Sequence, residues 1–119
     1  GAANLVSGFV IGGSAPATVL VRAVGPTLAA FGLTGVLERP VLQILNSAGA
    51  VVYSSANPAL AANLTDTTFA ATQVGAFTLP AGTADAVLLV TLPAGAYTAQ
   101  IHGAADTTGL ALLEIYQLP

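Results

Sequence analysis

Few side chains in this sequence could do chemistry. Arg22 and Arg39 are its two cations, Glu38, Asp66, Asp85, Asp106 and Glu114 its five carboxylates, and His102 its one histidine. A general base working near neutral pH would be His102, which closes the run "AYTAQIH" with Asp106 four residues further on. A Ser–His–Asp site would also need Ser7, Ser14, Ser47, Ser54 or Ser55, and none of these stands in a G-x-S-x-G elbow. The more economical reading of His102 is a polar residue at a strand end. The carboxylates are scattered and show no D-x-D spacing, so neither a glycosidase pair nor a calcium loop is indicated. Turn capping by single aspartates accounts for Asp66, Asp85 and Asp106. "GGSAPAT" (12–18) lacks the Lys and Ser/Thr of a phosphate loop and reads as a turn. No catalytic residue, cofactor or metal ligand is therefore assigned, and the chain is expected not to be an enzyme.

One charge does stand out. Arg22 sits in the middle of the apolar run "ATVLVRAV", and Glu114 in the middle of "LLEIYQ". An isolated charge buried in such a strand costs several kcal/mol, so each should have a partner. The expectation is a structural ion pair in which Arg22 is answered by Glu114 or by Glu38, within one subunit or between two.

These residues need strands to position them, and the sequence supplies strand patterns throughout. Short β-branched and aliphatic runs broken by turn residues predict strands near 5–11, 17–24, 41–46, 50–55, 86–92, 96–102 and 110–117. "NSAG" (46–49) is a tight turn, with Asn to bond its own backbone and Gly for positive φ. "GPTLAAFG" (25–32) has Pro where a helical turn begins and Gly where it ends. "TDTTFAATQVG" (65–75) predicts a short helix or ordered loop with Asp66 as its N-cap. "LPAGT" (79–83) recurs as "LPAGA" (92–96), and the second copy predicts a hairpin. With the loop at 103–109, residues 85–117 then form a three-stranded antiparallel meander. The fold class is all-β: an antiparallel β-sandwich of jelly-roll or immunoglobulin-like size, with seven or eight strands, one or two short helical turns and a single domain over 1–119.

Strands 17–24 and 86–92 are apolar on both faces, whereas a two-layer sandwich covers only one face of each sheet. A third layer is implied, from a loop, a helix or a neighbouring subunit. Composition points the same way. Charged residues are 6% of the chain and lysine is absent, against about 25% charged in ordinary soluble domains. Such a surface suits burial against copies of itself. The net charge of −3 and the lack of basic clusters exclude nucleic acid as a natural partner. No run is long and apolar enough for a membrane-spanning helix, although a β-barrel subunit alternates in the same way. Cysteine is absent, which removes disulfides and thiolate metal sites.

The segments "LVSGFVIGGSAPATVLVRAVGPTLAAFGL", "VGAFTLPAGTADAVLLVTLPAGAYTAQIHG" and "TTGLALLEIY" together resemble a β-rich surface module. It is repeated in large secreted and cell-surface proteins of environmental, notably verrucomicrobial, bacteria. "RAVGPTL" and "LPAGAYTAQ" are its more specific parts. The second half also resembles, less closely, bacterial pre-peptidase C-terminal β-sandwich domains. These resemblances imply an extracellular or cell-surface, modular and non-catalytic protein.

The functional expectation is a structural subunit of an extracellular filament or surface assembly, a homopolymer joined by apolar β-edge pairing or strand donation. Residues 1–13 are the segment to be donated, with Leu5, Phe9 and Ile11 as the interface face. The alternative is an adhesion or carbohydrate-binding module, for which Tyr53, Tyr97 and Tyr116 would share one surface. Asn63-Leu64-Thr65 is an acceptor pattern for N-glycosylation at Asn63, and surface glycans are a further expected partner.

Overall fold

Alternation of apolar residues with a period of two builds seven strands, and their hydrogen-bonding assembles them into two antiparallel sheets. The computed structural model describes residues 5–56, 64–80 and 83–119, without the side chains of 64–66. The strands are β1 (Leu5–Ile11), β2 (Ala17–Val24), β3 (Pro40–Leu45), β4 (Val51–Ser54), β5 (Ala86–Leu92), β6 (Gly95–Gly103) and β7 (Leu112–Gln117). A four-stranded sheet runs β1-β6-β3-β4, and a three-stranded sheet runs β5-β2-β7. The protein is an all-β sandwich.

The core lies between the sheets. Ile11, Leu42, Ile44, Ala99 and Ile101 from the larger sheet meet Val19, Val21, Ala23, Leu88, Val90 and Leu92 from the smaller. Burying such side chains contributes about 1.5–3 kcal/mol each relative to exposure. At 46–50 the Asn46 side-chain oxygen accepts hydrogen bonds from the N–H groups of Ala48 and Ala50, and Gly49 adopts φ 82°. Those bonds join β3 to β4 by the turn the sequence predicts.

The third layer comes from the chain itself. The helix α1 (Leu64–Val74) packs on β5 and β2, with Ala70 buried beneath it. Asp66, expected ahead of this helix as its cap, lies within it. The side of the smaller sheet turned away from the core carries Leu20, Arg22 and Val24, at 0%, 1% and 0% exposure. A 3-10 helix at Pro26–Phe31 ends on Gly32 in the left-handed region, as the Pro and Gly positions predict.

The expected meander over 85–117 is not formed. β5 pairs with β2, whereas β6 pairs with β1 and β3 in the other sheet. "LPAGA" therefore carries the chain across the sandwich instead of closing a hairpin. The physical reason is that a Pro–Gly turn reverses the chain equally well within a sheet or between sheets. Pairing with strands remote in sequence decides which. β7 likewise returns to β2, not to β6.

Candidate functional site

The charged centre of the molecule is built on β2. In the β2–β7 ladder Arg22 stands directly opposite Glu114, and Arg22 Nε lies 2.9 Å from Glu114 Oε1 in the same chain. Arg22 is 1% exposed and the Glu114 side chain 12%. The approach is close but poorly directed, so Nε and Oε1 form an ion pair without a hydrogen bond. Tyr116, two residues along β7 on the same face, donates from its hydroxyl to Glu114 Oε2 at 2.6 Å. That bond is the main reason the Tyr116 pKa is raised; burial and the negative charge of Glu114 add to it, and Arg22 opposes them.

The other side of the guanidinium faces the covering layer. Arg22 Nη1 donates to the Phe77 carbonyl at 2.7 Å, and the Phe77 ring lies 4.5 Å from the guanidinium carbon. This is cation–π geometry. Phe77 also meets Phe31 of the 3-10 helix edge-on, at 5.4 Å between ring centres. Arg22 thus ties β7 to the coil after α1. Its Nη2 remains buried without a hydrogen-bond partner.

A second polar cluster surrounds Asp85, just before β5. Oδ1 accepts from the N–H groups of Gly25 at 2.8 Å and Thr27 at 3.2 Å. Oδ2 accepts from the Thr27 hydroxyl and, at 2.6 Å, from the Thr83 hydroxyl. Burial pushes the Asp85 pKa up, but the hydrogen bonds from Thr27, Thr83 and Gly25 outweigh it and leave the pKa lowered. Gly25 is required where it stands, because a Cβ there would lie 2.0 Å from the Leu37 carbonyl oxygen. The sequence offered Asp85 only as an isolated turn cap. Its actual target, the 25–27 turn, is too distant along the chain for spacing to reveal.

Other residues singled out in the sequence fall elsewhere. Glu38 is exposed and, with Arg39 and Thr107, lines a shallow hollow away from the Arg22 centre. Among the described residues His102 makes no hydrogen bond or ion pair with Asp106, and no group of three or more His, Cys, Asp or Glu could hold a metal. No helix among the described residues is long and apolar enough to cross a membrane. Tyr53 and Tyr97 pack against the core from the larger sheet, while Tyr116 lies on the far side of the smaller one, so the three do not share a surface. Asn63 lies outside the described residues.

The first strand is paired in its own chain. β1 runs antiparallel to β6 from Leu5↔Ile101 to Ile11↔Gly95. Of the expected interface residues, Ile11 is buried in the core, Phe9 stacks on Tyr97 at 5.7 Å, and Leu5 is exposed. The side chains β1 turns outward are Val6 and Val10, at 53% and 73% exposure. No protein-family model matches the chain, and no curated protein or solved structure matches it significantly.

Proposed function

We propose that the protein is a non-catalytic structural subunit that associates with copies of itself through the open edge of β1. One observation carries this reading: β1 is a seven-residue edge strand without a charge or a proline, and among the described residues no element covers its free side. Edge strands of proteins that stay apart are shortened, charged or bulged. The opposite edge of the same sheet, β4, is only four residues long. β1 offers unpaired N–H and C=O groups flanked by Val6 and Val10, a template for pairing with another strand.

The five-residue link 12–16 joins β1 to β2 in the other sheet. Two modes of association follow from that connection: pairing of one β1 edge with another, or exchange of β1 into a neighbouring copy. In exchange, Phe9 and Ile11 would refill in the neighbour the places they take here. Head-to-tail exchange does not close on itself and produces a filament. The low charge and the resemblance of "RAVGPTL" and "LPAGAYTAQ" to secreted bacterial surface modules support an extracellular or cell-surface setting.

Light scattering and negative-stain microscopy of the purified chain at rising concentration test the reading. Wild type is expected to grow into oligomers or filaments, and Val10→Lys to remain monomeric with its fold intact. A wild-type chain that stays monomeric throughout overturns it.

A further inference from the structure

The hollow beside Arg22 is a better-defined feature than any exposed patch. It has a volume of about 130 Å³, roughly ten times the ~10–15 Å³ that admits a single water. It lies between α1 and the coil that follows it on one side and the outer side of β2 and β5 on the other. Arg22, Thr68, Thr78, Asp85 and Val87 are among the residues that line it.

Its chemistry is specific. Arg22 is 1% exposed, and Nη2 is the end of the guanidinium left without a hydrogen-bond partner. A buried donor on a charged group is costly to leave unpaired, so an acceptor oxygen there is strongly favoured. Asp85 offers nothing in return: a carboxylate has about four lone-pair sites, and Gly25, Thr27 and Thr83 supply four donors to it. Thr68 and Thr78 are exposed residues whose hydroxyls can donate or accept. Charge restricts the ligand further. Glu114 already balances Arg22 and Asp85 adds a negative charge, so an anion is disfavoured.

We infer that this hollow binds a small neutral molecule rich in hydroxyl groups, a polyol or the sugar at the end of a glycan. One ligand hydroxyl accepts from Arg22 Nη2, and others exchange hydrogen bonds with Thr68 and Thr78. Val87 supplies an apolar contact for the ligand's C–H groups. Nη2 is itself screened from solvent, so binding there requires the 76–80 coil, held on the guanidinium by the Phe77 carbonyl, to move aside as the ligand enters. The site is independent of the β1 edge and stands whether or not the chain assembles.

Proton–nitrogen NMR of the full chain tests this, because the Arg22 Nε–H signal reports directly on the guanidinium. Glycerol, D-glucose and sodium acetate are titrated separately. Saturable movement of the Arg22 signal and of the 76–80 amides is expected with a neutral probe and not with acetate. Thr78→Val, at an exposed position that leaves the fold intact, should weaken that binding about threefold to tenfold, the effect of losing one hydrogen bond. Glucose binding more tightly than glycerol supports the sugar as the source, and the reverse order supports a free polyol. The inference is overturned by an Arg22 signal that neither neutral probe moves, which would mean the hollow takes water only. Preference for acetate, or neutral-probe binding that Thr78→Val leaves unchanged, overturns it equally.

Discussion

The two sheets solve the same problem in opposite ways. In the three-stranded sheet β2 and β5 are covered on both sides, by the core and by α1 with its following coil, and β2 and β7 hold the buried ion pair Arg22–Glu114. Among the described residues the four-stranded sheet is covered only by the core. Its other side carries Val6, Val10, Val41, Gln43, Thr98, Gln100 and His102 in register across β1, β3 and β6, with no carboxylate, lysine or arginine among them. Charge is thus buried where the chain provides a cover, and missing where an ordinary soluble protein would display it. The difference teaches that Arg22, Glu114 and Asp85 organise the covered half of the molecule, while the outer side of the larger sheet and the β1 edge present the uncharged groups that the proposed self-association would use.

The sharpest way to break this contrast is to remove one partner of the buried pair. Arg22→Met leaves Glu114 buried without its cation and leaves the Phe77 carbonyl without its donor. A loss of about 3–5 kcal/mol is expected in urea unfolding. The double variant Arg22→Met, Glu114→Leu should recover much of that loss, because well-packed apolar residues replace buried pairs at little cost. Additive losses in the cycle would show that the two residues do not act as a pair.

Gly25→Ala probes the same half of the molecule through the backbone. Its methyl group would collide with the Leu37 carbonyl oxygen at 2.0 Å, so the turn held by Asp85 must shift. A loss of about 3 kcal/mol is expected, in the range of overpacking in a tight site. Gly12→Ala, where an added Cβ meets nothing within 4 Å, is the matched control and should stay within about 0.5 kcal/mol of wild type.

Acid offers a third probe. The Asp85 pKa is lower in the folded chain than in the unfolded one, so the unfolded state takes up its proton first as pH falls. The stabilisation is therefore fully present above the unfolded value of about 3.9, and it is lost as pH drops from there through the folded value. Asp85→Asn should remove this part of the acid dependence while still offering one acceptor oxygen to the 25–27 turn. Unfolding midpoints measured between neutral pH and the acid range, for wild type and variant, check the sign. A variant with an unchanged acid slope would show that Asp85 is not responsible.

How far these features could be read from residues alone follows from the range of the interactions. Strands β1, β2 and β5 are visible in apolar alternation because each run is bounded by Gly, Pro or other turn residues. The turn at 46–49 is visible because Asn46 and Gly49 act within four residues of each other. The need for a cover on β2 is also visible, since Leu20 and Val24 flank Arg22 on a side that cannot face water. The assignment of β5 and β6 to different sheets is not, because "LPAGA" has the same local chemistry in either arrangement. Asp85 and Phe77 were missed for a related reason: their partners, Thr27 and Arg22, lie 58 and 55 residues away. Nothing in spacing distinguishes a carboxylate that caps a distant turn from one that caps its own.

The smallest expected effect belongs to the bare sheet. Gln100 Nε2 donates to Gln43 Oε1 at 2.9 Å across the β3–β6 ladder, on the side turned away from the core. Both residues are half-buried, so water can replace the lost partner far more readily than it can at Arg22. Gln100→Thr keeps a strand-forming side chain and removes the amide. It should cost at most about 1 kcal/mol in urea unfolding. Combined with Gln43→Thr, the total should barely rise, because the second substitution removes a group whose partner has already gone. A loss approaching that of Arg22→Met would mean that this side of the sheet holds the fold together as the covered one does. The bare sheet could then no longer be read as a surface left free for another copy.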